Sequence, residues 1–314
     1  MILVTGGLGF IGSHTVQALL DLGERCVLLQ RRPAQLPPYL DGASVVVEQG
    51  DVTDAASLAA LGDRHEITAV VHLAGSMPWP PDPADPIGQT RRALGGLLNV
   101  MESAQRWGVR RVGVASTIGV YAGVDAEGGL SEDLPLPTTS PHLIPTFKKI
   151  GEQLNGYLCS ATGLDIIDLR VSGTWGPRGH DDPFFPAPYL ARAAAHGTAP
   201  DLSGLRAPAR ADDALDLCYV KDTGRAIALL MLAGTLQHRT YNVGSGRSTS
   251  NADVIAALRG VVPEFAFELP DGGGGPGVWL DISRLHEDTG YKPAYDVDRA
   301  AADYVAWLRA GNPV

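Results

Sequence analysis

The stretch VTGGLGFIGSHTVQALL, residues 4–20, decides how the rest of the chain is read. A short β-branched run ends at Thr5, glycines follow at Gly6, Gly9 and Gly12, and an apolar-periodic segment begins at once. Gly6 permits a tight turn, Gly9 lets the backbone approach a pyrophosphate, and Gly12 lets helix and strand pack closely. The helix that follows presents its unpaired N–H groups and positive dipole end to the phosphates. A glycine triplet alone is a weak signal. One that follows a strand and opens a helix predicts a dinucleotide-binding βα unit.

Outward from that unit, β-branched runs alternate with amphipathic ones. ILVTG (2–6), RCVLLQ (25–30), SVVVEQ (44–49), AVVHLAG (69–75), RVGVAST (111–117) and GLDIIDLR (163–170) read as strands. IGSHTVQALLDLG, DAASLAALG, a segment near 88–107 and another beginning near 145 read as helices. The alternation predicts an α/β fold, a Rossmann doubly wound parallel sheet. After about residue 171 the composition changes: WGPRGHDDPFFPAPYL is rich in proline, glycine and aromatics. The expected organisation is an NADP-binding Rossmann domain over 1–170 and a smaller C-terminal substrate-binding lobe over 171–314, with some segments returning to the first domain. TYNVGSG (240–246) reads as a strand and turn that joins the lobe or seals the sheet.

Bulk properties exclude several classes. A formal charge of −10 over 314 residues argues against a nucleic-acid or anionic-membrane surface, since both need a basic face. No apolar run approaches the roughly 20 residues that span a bilayer. The opening MILVTGG lacks the basic start and cleavage site of a signal peptide, so the cytoplasm is the expected compartment. Cys26, Cys159 and Cys218 are scattered without ligand-like spacing and read as small apolar residues, and no metal site is expected.

The second strand ends at Gln30-Arg31-Arg32. A carboxylate there would accept from a ribose 2′-hydroxyl and repel a 2′-phosphate, whereas guanidinium groups pair with the phosphate bidentately. NADPH/NADP is therefore the expected cofactor, against the alternative that both arginines simply sit on a solvated loop.

With these motifs the chain resembles the extended short-chain dehydrogenase/reductases, in the NAD-dependent epimerase/dehydratase branch that acts on nucleotide sugars. TGGLGFIG is similar to the opening motif of that family, Gly50-Asp51-Val52 to its adenine-side element, and HLAG (72–75) to the end of its fourth strand. ASTIGVYA, WGPR and YNVGSG resemble three further family motifs. The resemblance implies cofactor contacts from Gly6, Gly9, Phe10, Ile11, Gly12, Arg31, Arg32, Asp51, Val52, Leu73, Ala74, Gly75 and Lys148.

In that family a Ser or Thr holds the substrate oxygen, a Tyr moves the proton, and a Lys binds the nicotinamide ribose and lowers the Tyr pKa. Aligned on GVYA, Thr117 takes the hydroxyl position and Lys148 the lysine, with Glu152 following. Ile144 then falls where the tyrosine belongs. A register slipped to Lys149 puts Pro145 there instead, which supplies no proton either. General acid catalysis is worth ~10²–10⁴-fold, so another group must act or activity is lost.

Further positions depart from the family. The helix asparagine tied to a water relay is Ala93, an asparagine that meets the sugar-nucleotide diphosphate is Gly173, an arginine that binds the same group is Leu215, and a histidine of that arginine's segment is Tyr219. These losses argue against a nucleotide-sugar substrate. Ser76, Met77, Trp79, Tyr121, Ile144, Gly173, Trp175 and Phe185 are the candidate substrate contacts, and their aromatic and apolar character suits a large flat ketone.

The expected function is an NADPH-dependent ketoreductase acting on an aromatic polyketide of angucyclinone type, in antibiotic biosynthesis. The combination is similar to tyrosine-less ketoreductases of that chemistry. A phenol beside the carbonyl would supply the proton. The alternatives are a non-catalytic NADP-binding sensor and a nucleotide-sugar epimerase or dehydratase. His142, Tyr121 and Tyr219 are other conceivable proton donors. In relatives, helices matching 88–107 and 145–162 form a dimer; Lys148, Lys149, Glu152 and Gln153 on the second leave monomer or homodimer open.

Overall fold

The computed structural model describes residues 1–40, 42, 44–75, 83–126, 128–274 and 277–312. In chain order its first half runs β1 (Ile2–Thr5), α1 (Phe10–Asp21), β2 (Cys26–Gln30), β3 (Val45–Gln49), α2 (Ala55–Arg64), β4 (Ala69–His72), α3 (Pro86–Trp107), β5 (Val112–Thr117), β6 (Gly129–Leu130) and α4 (Leu143–Thr162). The second half runs β7 (Ile166–Val171), β8 (Gly173–Trp175), α5 (Ala187–His196), β9 (Ala214–Leu215), β10 (Leu217–Tyr219), α6 (Val220–Leu232) and β11 (Thr240–Val243). It ends with β12 (Thr249–Ser250), α7 (Asn251–Val261), β13 (Trp279–Leu280), α8 (Ser283–Thr289) and α9 (Val297–Arg309).

Seven strands form one parallel sheet in the order β11-β7-β5-β4-β1-β2-β3. Covered on both faces, its central strands read as continuous apolar runs. Successive side chains point to opposite faces. Ile2 and Val4 join Val16, Leu19 and Ile227 in one core layer, with α1 and α6, while Leu3 joins Leu58, Leu97 and Val100 in the other, with α2 and α3. The strand order runs outward in both directions from the β1–β4 pair. That reversal opens a crevice beyond the carboxyl ends of the strands, where ligands of such folds bind.

After β8 the chain builds a second core from α5, α7 and α9, in which Trp175, Phe185, Leu190, Tyr219, Leu258 and Tyr304 pack together. The chain also returns to the sheet. β11 pairs in parallel with β7 at the edge, Tyr241 opposite Leu169. α6 lies against α1. Among the described residues no helix is long and apolar enough to cross a membrane.

Candidate functional site

The glycine turn between β1 and α1 is built to be touched. Gly6 has φ 74°, a left-handed conformation open to glycine, and a Cβ there would lie 3.0 Å from the Ala74 backbone nitrogen. A Cβ on Gly12 would fall 2.0 Å from the Gly6 carbonyl oxygen, so helix and turn meet only because no side chain intervenes. A Cβ on Gly9 would meet nothing nearer than the Gly6 carbonyl oxygen at 3.1 Å, which leaves that face open. Gly9 is also the N-cap of α1 and offers no side chain to its first N–H groups. These donors therefore remain available to an anion.

A groove of about 520 Å³ runs from this turn along Arg31, Asp51, Val52, Leu73, Ala74 and Gly75. Asp51 Oδ1 accepts from the Thr53 amide and hydroxyl, each at 2.9 Å, and Asn99 Nδ2 donates to the Val52 carbonyl at 3.0 Å. Thr5 Oγ1 accepts from the Ala74 amide and lies 2.8 Å from His72 Nδ1, fixing the end of β4. Arg31 lies in the groove wall, and Arg32 lies exposed outside it. Arg92 joins the wall from α3, paired with Asp85 at 2.9 Å. Nothing in the sequence pattern marks Arg92, because a helix arginine 86 residues beyond the first glycine of the turn carries no motif. Cradle, groove and free helix N-terminus fit a dinucleotide.

Phe10 and Ile11 begin a second cavity of about 450 Å³, shared with Thr117, His142, Ile144, Gly173 and Phe185. Thr117 ends β5, and its Oγ1 accepts from the Gly119 amide at 3.1 Å. Ile144 sits in the first turn of α4, where Pro145 is tolerated because its missing N–H would have had no partner. One turn further, Lys148 points inward and its Nζ donates to the Ala115 carbonyl at 2.7 Å. Burial brings its pKa down to about 8, against the pull of Glu152 and Asp168. Lys149 instead donates to Pro137 and Thr139 carbonyls on the outer loop, so Lys148 is the lysine that faces the site.

Behind this wall lies a buried polar network. Ser116 Oγ donates to Glu152 Oε1 at 2.5 Å, and Glu152 pairs with Arg170 at 2.7 Å. Arg170 donates to Tyr121 Oη at 2.8 Å, and Tyr121 donates to Asn242 Oδ1 at 2.8 Å. Tyr121 is thus consumed in the network, and burial pushes its pKa up to about 12. It lines neither cavity, which corrects its assignment as a substrate contact and as a proton donor. Trp175 needs the same correction. It is 2% exposed, edge-on to Tyr219 and Tyr304 in the second core, because β8 has already left the sheet. Tyr219 donates its hydroxyl proton to Asp303 at 2.5 Å, away from the cavity, and burial raises its pKa steeply.

Of the three alternative donors only His142 lines the cavity, its ring stacked on Phe184 with centroids 5.2 Å apart. Burial lowers its pKa, so the neutral ring is favoured. His180 and Asp182 also line the cavity. They belong to the loop GHDDPFF, where a charged run reads as solvated, and only the folding of that loop over α1 brings them in. Gly173 and Leu215 belong together: a Cβ on Gly173 would lie 2.7 Å from Leu215 Cδ1, so the leucine occupies the space a larger side chain would take. Ser76, Met77 and Trp79 lie outside the described residues. Among the described residues no cluster of His, Cys, Asp and Glu is placed to hold a metal ion.

Comparison with known proteins gives a consistent family. Residues 2–244 match the model of the NAD dependent epimerase/dehydratase family. A UDP-glucose 4-epimerase of Azospirillum brasilense is 29% identical, with 98% of this chain and 92% of that protein covered. A dTDP-glucose 4,6-dehydratase of Actinoplanes sp. is 27% identical over 99% of this chain and 98% of its own length. The crystal structure of a Thermus thermophilus UDP-glucose 4-epimerase in complex with NAD superposes with a TM-score of 0.80, at 25% identity and 99% coverage of both chains.

Proposed function

Because the chain belongs to the NAD dependent epimerase/dehydratase family, we propose that it is an oxidoreductase that reduces a substrate ketone held beside Thr117 and Ile144, with NADPH as reductant. A nicotinamide dinucleotide and an oxidoreductase reaction come with the family. When bound, the cofactor supplies the hydride. The glycine turn and the N–H groups of α1 would hold its pyrophosphate, Arg31 a 2′-phosphate, and Lys148 the ribose beside the reacting ring.

The observation that carries the reading is Ile144. Carbonyl reduction leaves an oxyanion that needs a proton, and the alkyl group at this position has none to give. Thr117 orients the substrate oxygen. A phenol adjacent to the ketone is the donor we propose: it polarises the carbonyl by an internal hydrogen bond and then delivers its proton. The apolar cavity, with Phe185 in its wall and Leu215 over Gly173, suits a large aromatic ketone of polyketide type. We further propose a cytoplasmic protein that assembles as a homodimer.

Whole-length likeness favours a second reading, a nucleotide-sugar epimerase or dehydratase, and on overall similarity it is the better supported of the two. It requires an acid–base group to move the sugar's own proton, which His142 in the cavity wall would have to supply. NADPH deuterated at C4 separates the readings. Matched aromatic ketones with and without the neighbouring phenol, and UDP- and dTDP-glucose, are incubated in parallel and the products weighed. Label transferred to the phenol-bearing ketone alone is the expected result. Equal reduction of both ketones sinks the phenol as donor and points to His142. Turnover of a nucleotide sugar establishes the second reading. Tight NADPH binding with no turnover of any substrate leaves a dinucleotide sensor.

A further inference from the structure

A third cavity, of about 190 Å³, lies between α3, α4 and the sheet, directly behind the catalytic wall. At one end it touches Ala74, Ser116, Ile144 and Lys148, and at the other Asn155 and Asp168. Its sides are Ala93, Leu94, Leu97 and Phe147, and it has room for several waters.

Asp168 on β7 is fully buried. Its Oδ1 accepts from Asn155 Nδ2 at 2.6 Å. Its Oδ2 pairs at 2.7 Å with Arg239, whose side chain is 38% exposed. One carboxyl therefore looks into the cavity on one side and toward solvent, past a guanidinium, on the other. Asn155 is fully buried too, and its Oδ1 has no hydrogen-bond partner among the described residues. A buried amide acceptor facing polar space calls for a donor, and a cavity water is the donor at hand. None of these groups belongs to the dinucleotide cradle or to the substrate wall.

We propose that this cavity is a proton path, in which Asp168 stores the proton that restores the site after each reduction. The proposal rests on the ketone reading above, where each turnover consumes one solvent proton. The substrate phenol gives its proton to the newly formed alkoxide. The resulting phenolate takes a proton from the Lys148 ammonium, the Lys148 amine takes one from the Asp168 carboxyl through cavity water, and the Asp168 carboxylate takes one from solvent beside Arg239. The small side chain of Ala93 leaves the passage open.

The other charged and titratable groups around Asp168 are already committed. From α4, Glu152 is bound to Ser116 and Arg170. Arg170, on β7 itself, is shared between Glu152 and Tyr121. From β4, His72 lies in the cavity wall, hydrogen-bonded to Thr5 and held neutral by burial, with a pKa of about 4. Burial raises Asp168 to about 7, outweighing Asn155 and Arg239, while Lys148 lies at about 8. Asp168 therefore holds a proton below about pH 7 and loses it as the pH rises through that value. The sign for folding follows: its raised pKa contributes stability below its ordinary value of 3.8, and that contribution is lost on the way up to about 7.

The test uses the full chain and two variants. Infrared titration of the protein without substrate should show a protonated carboxyl that disappears near pH 7 and is absent from Asp168→Asn. In ketone reduction, kcat of the wild type should fall above that pH. Asp168→Asn should shift the falling limb up toward the Lys148 value of about 8 and lose at least ~10-fold in kcat, with KM for NADPH unchanged within about twofold. Ala93→Phe, which obstructs the passage without altering a charge, should lower kcat alike, and it serves alone if Asp168→Asn does not fold. A carboxyl already ionised at about pH 5 overturns the proposal whatever the ketone assay gives. So does a kcat profile that neither variant changes. A carboxyl titrating near 7 in a protein that reduces no ketone supports the reservoir and counts against the ketone reading instead.

Discussion

Installing a phenol at position 144 tests what the isoleucine costs. Ile144 lies one turn before Lys148, whose ammonium would lower the pKa of a hydroxyl placed there. Ile144→Tyr is expected to raise kcat on ketones that lack a neighbouring phenol by at least ~10-fold, within the ~10²–10⁴ that general acid catalysis supplies. Ketones carrying their own phenol should gain little. Steady-state rates on the matched pair decide it: an unchanged rate on the phenol-free ketone would mean that residue 144 does not reach the reacting oxygen. Spacing along one helix puts Ile144 and Lys148 a turn apart, and the fold brings both to the wall of the inner cavity. Reasoning from motif position failed for Tyr121 and Trp175. A motif fixes where a residue stands in the chain, but which side of a short turn its ring takes is settled by packing, here by Arg170 and Asn242 for one and by Tyr219 and Tyr304 for the other.

At the scale of elements, the β1–α1 turn makes the sharpest demand on sequence. Gly12→Ala drives a methyl to 2.0 Å from the Gly6 carbonyl oxygen, contact with backbone that no rotamer relieves. α1 must shift, at a cost of about 1–3 kcal/mol of stability, and its N–H groups leave the pyrophosphate site. The expected outcome is a lower Tm together with at least a ~10-fold loss of NADPH affinity by fluorescence titration. Gly9→Ala meets only one atom, at 3.1 Å, so it should spare Tm and still weaken binding. Equal Tm and affinity for Gly12→Ala and wild type would refute the packing account. These elements were legible because strand, turn and helix each leave a periodic or compositional mark. The paired β8–β10 and β9–β12 segments were not: two or three residues carry no period, and their pairing is set by contacts across about 40 residues of chain.

The whole molecule shows why the second half read less clearly than the first. α6 and β11 come from sequence beyond the first substrate-lobe residues yet complete the Rossmann layers, and such returns are decided by which surfaces remain uncovered. One surface stays open among the described residues. Lys148 and Glu152, which suggested a polar outer face for α4, point inward. Besides the polar Thr146, Gln153 and Ser160, the side chains that face out there include Ile150, 38% exposed, and Tyr157, 69% exposed, with Leu98 of adjacent α3 at 44%. Two neighbouring helices, both running opposite to the strands they connect, bury such apolar side chains by packing on the same pair from a second copy, a closed isologous contact. A homodimer is therefore expected, sedimenting at twice the 33.0 kDa chain mass at micromolar concentration. Tyr157→Glu places a charge at the centre of that contact on both copies, so it should yield monomers of unchanged circular dichroism and unchanged NADPH affinity. A wild type that sediments as a monomer, or a dimer that survives Tyr157→Glu, would remove α3 and α4 as the interface.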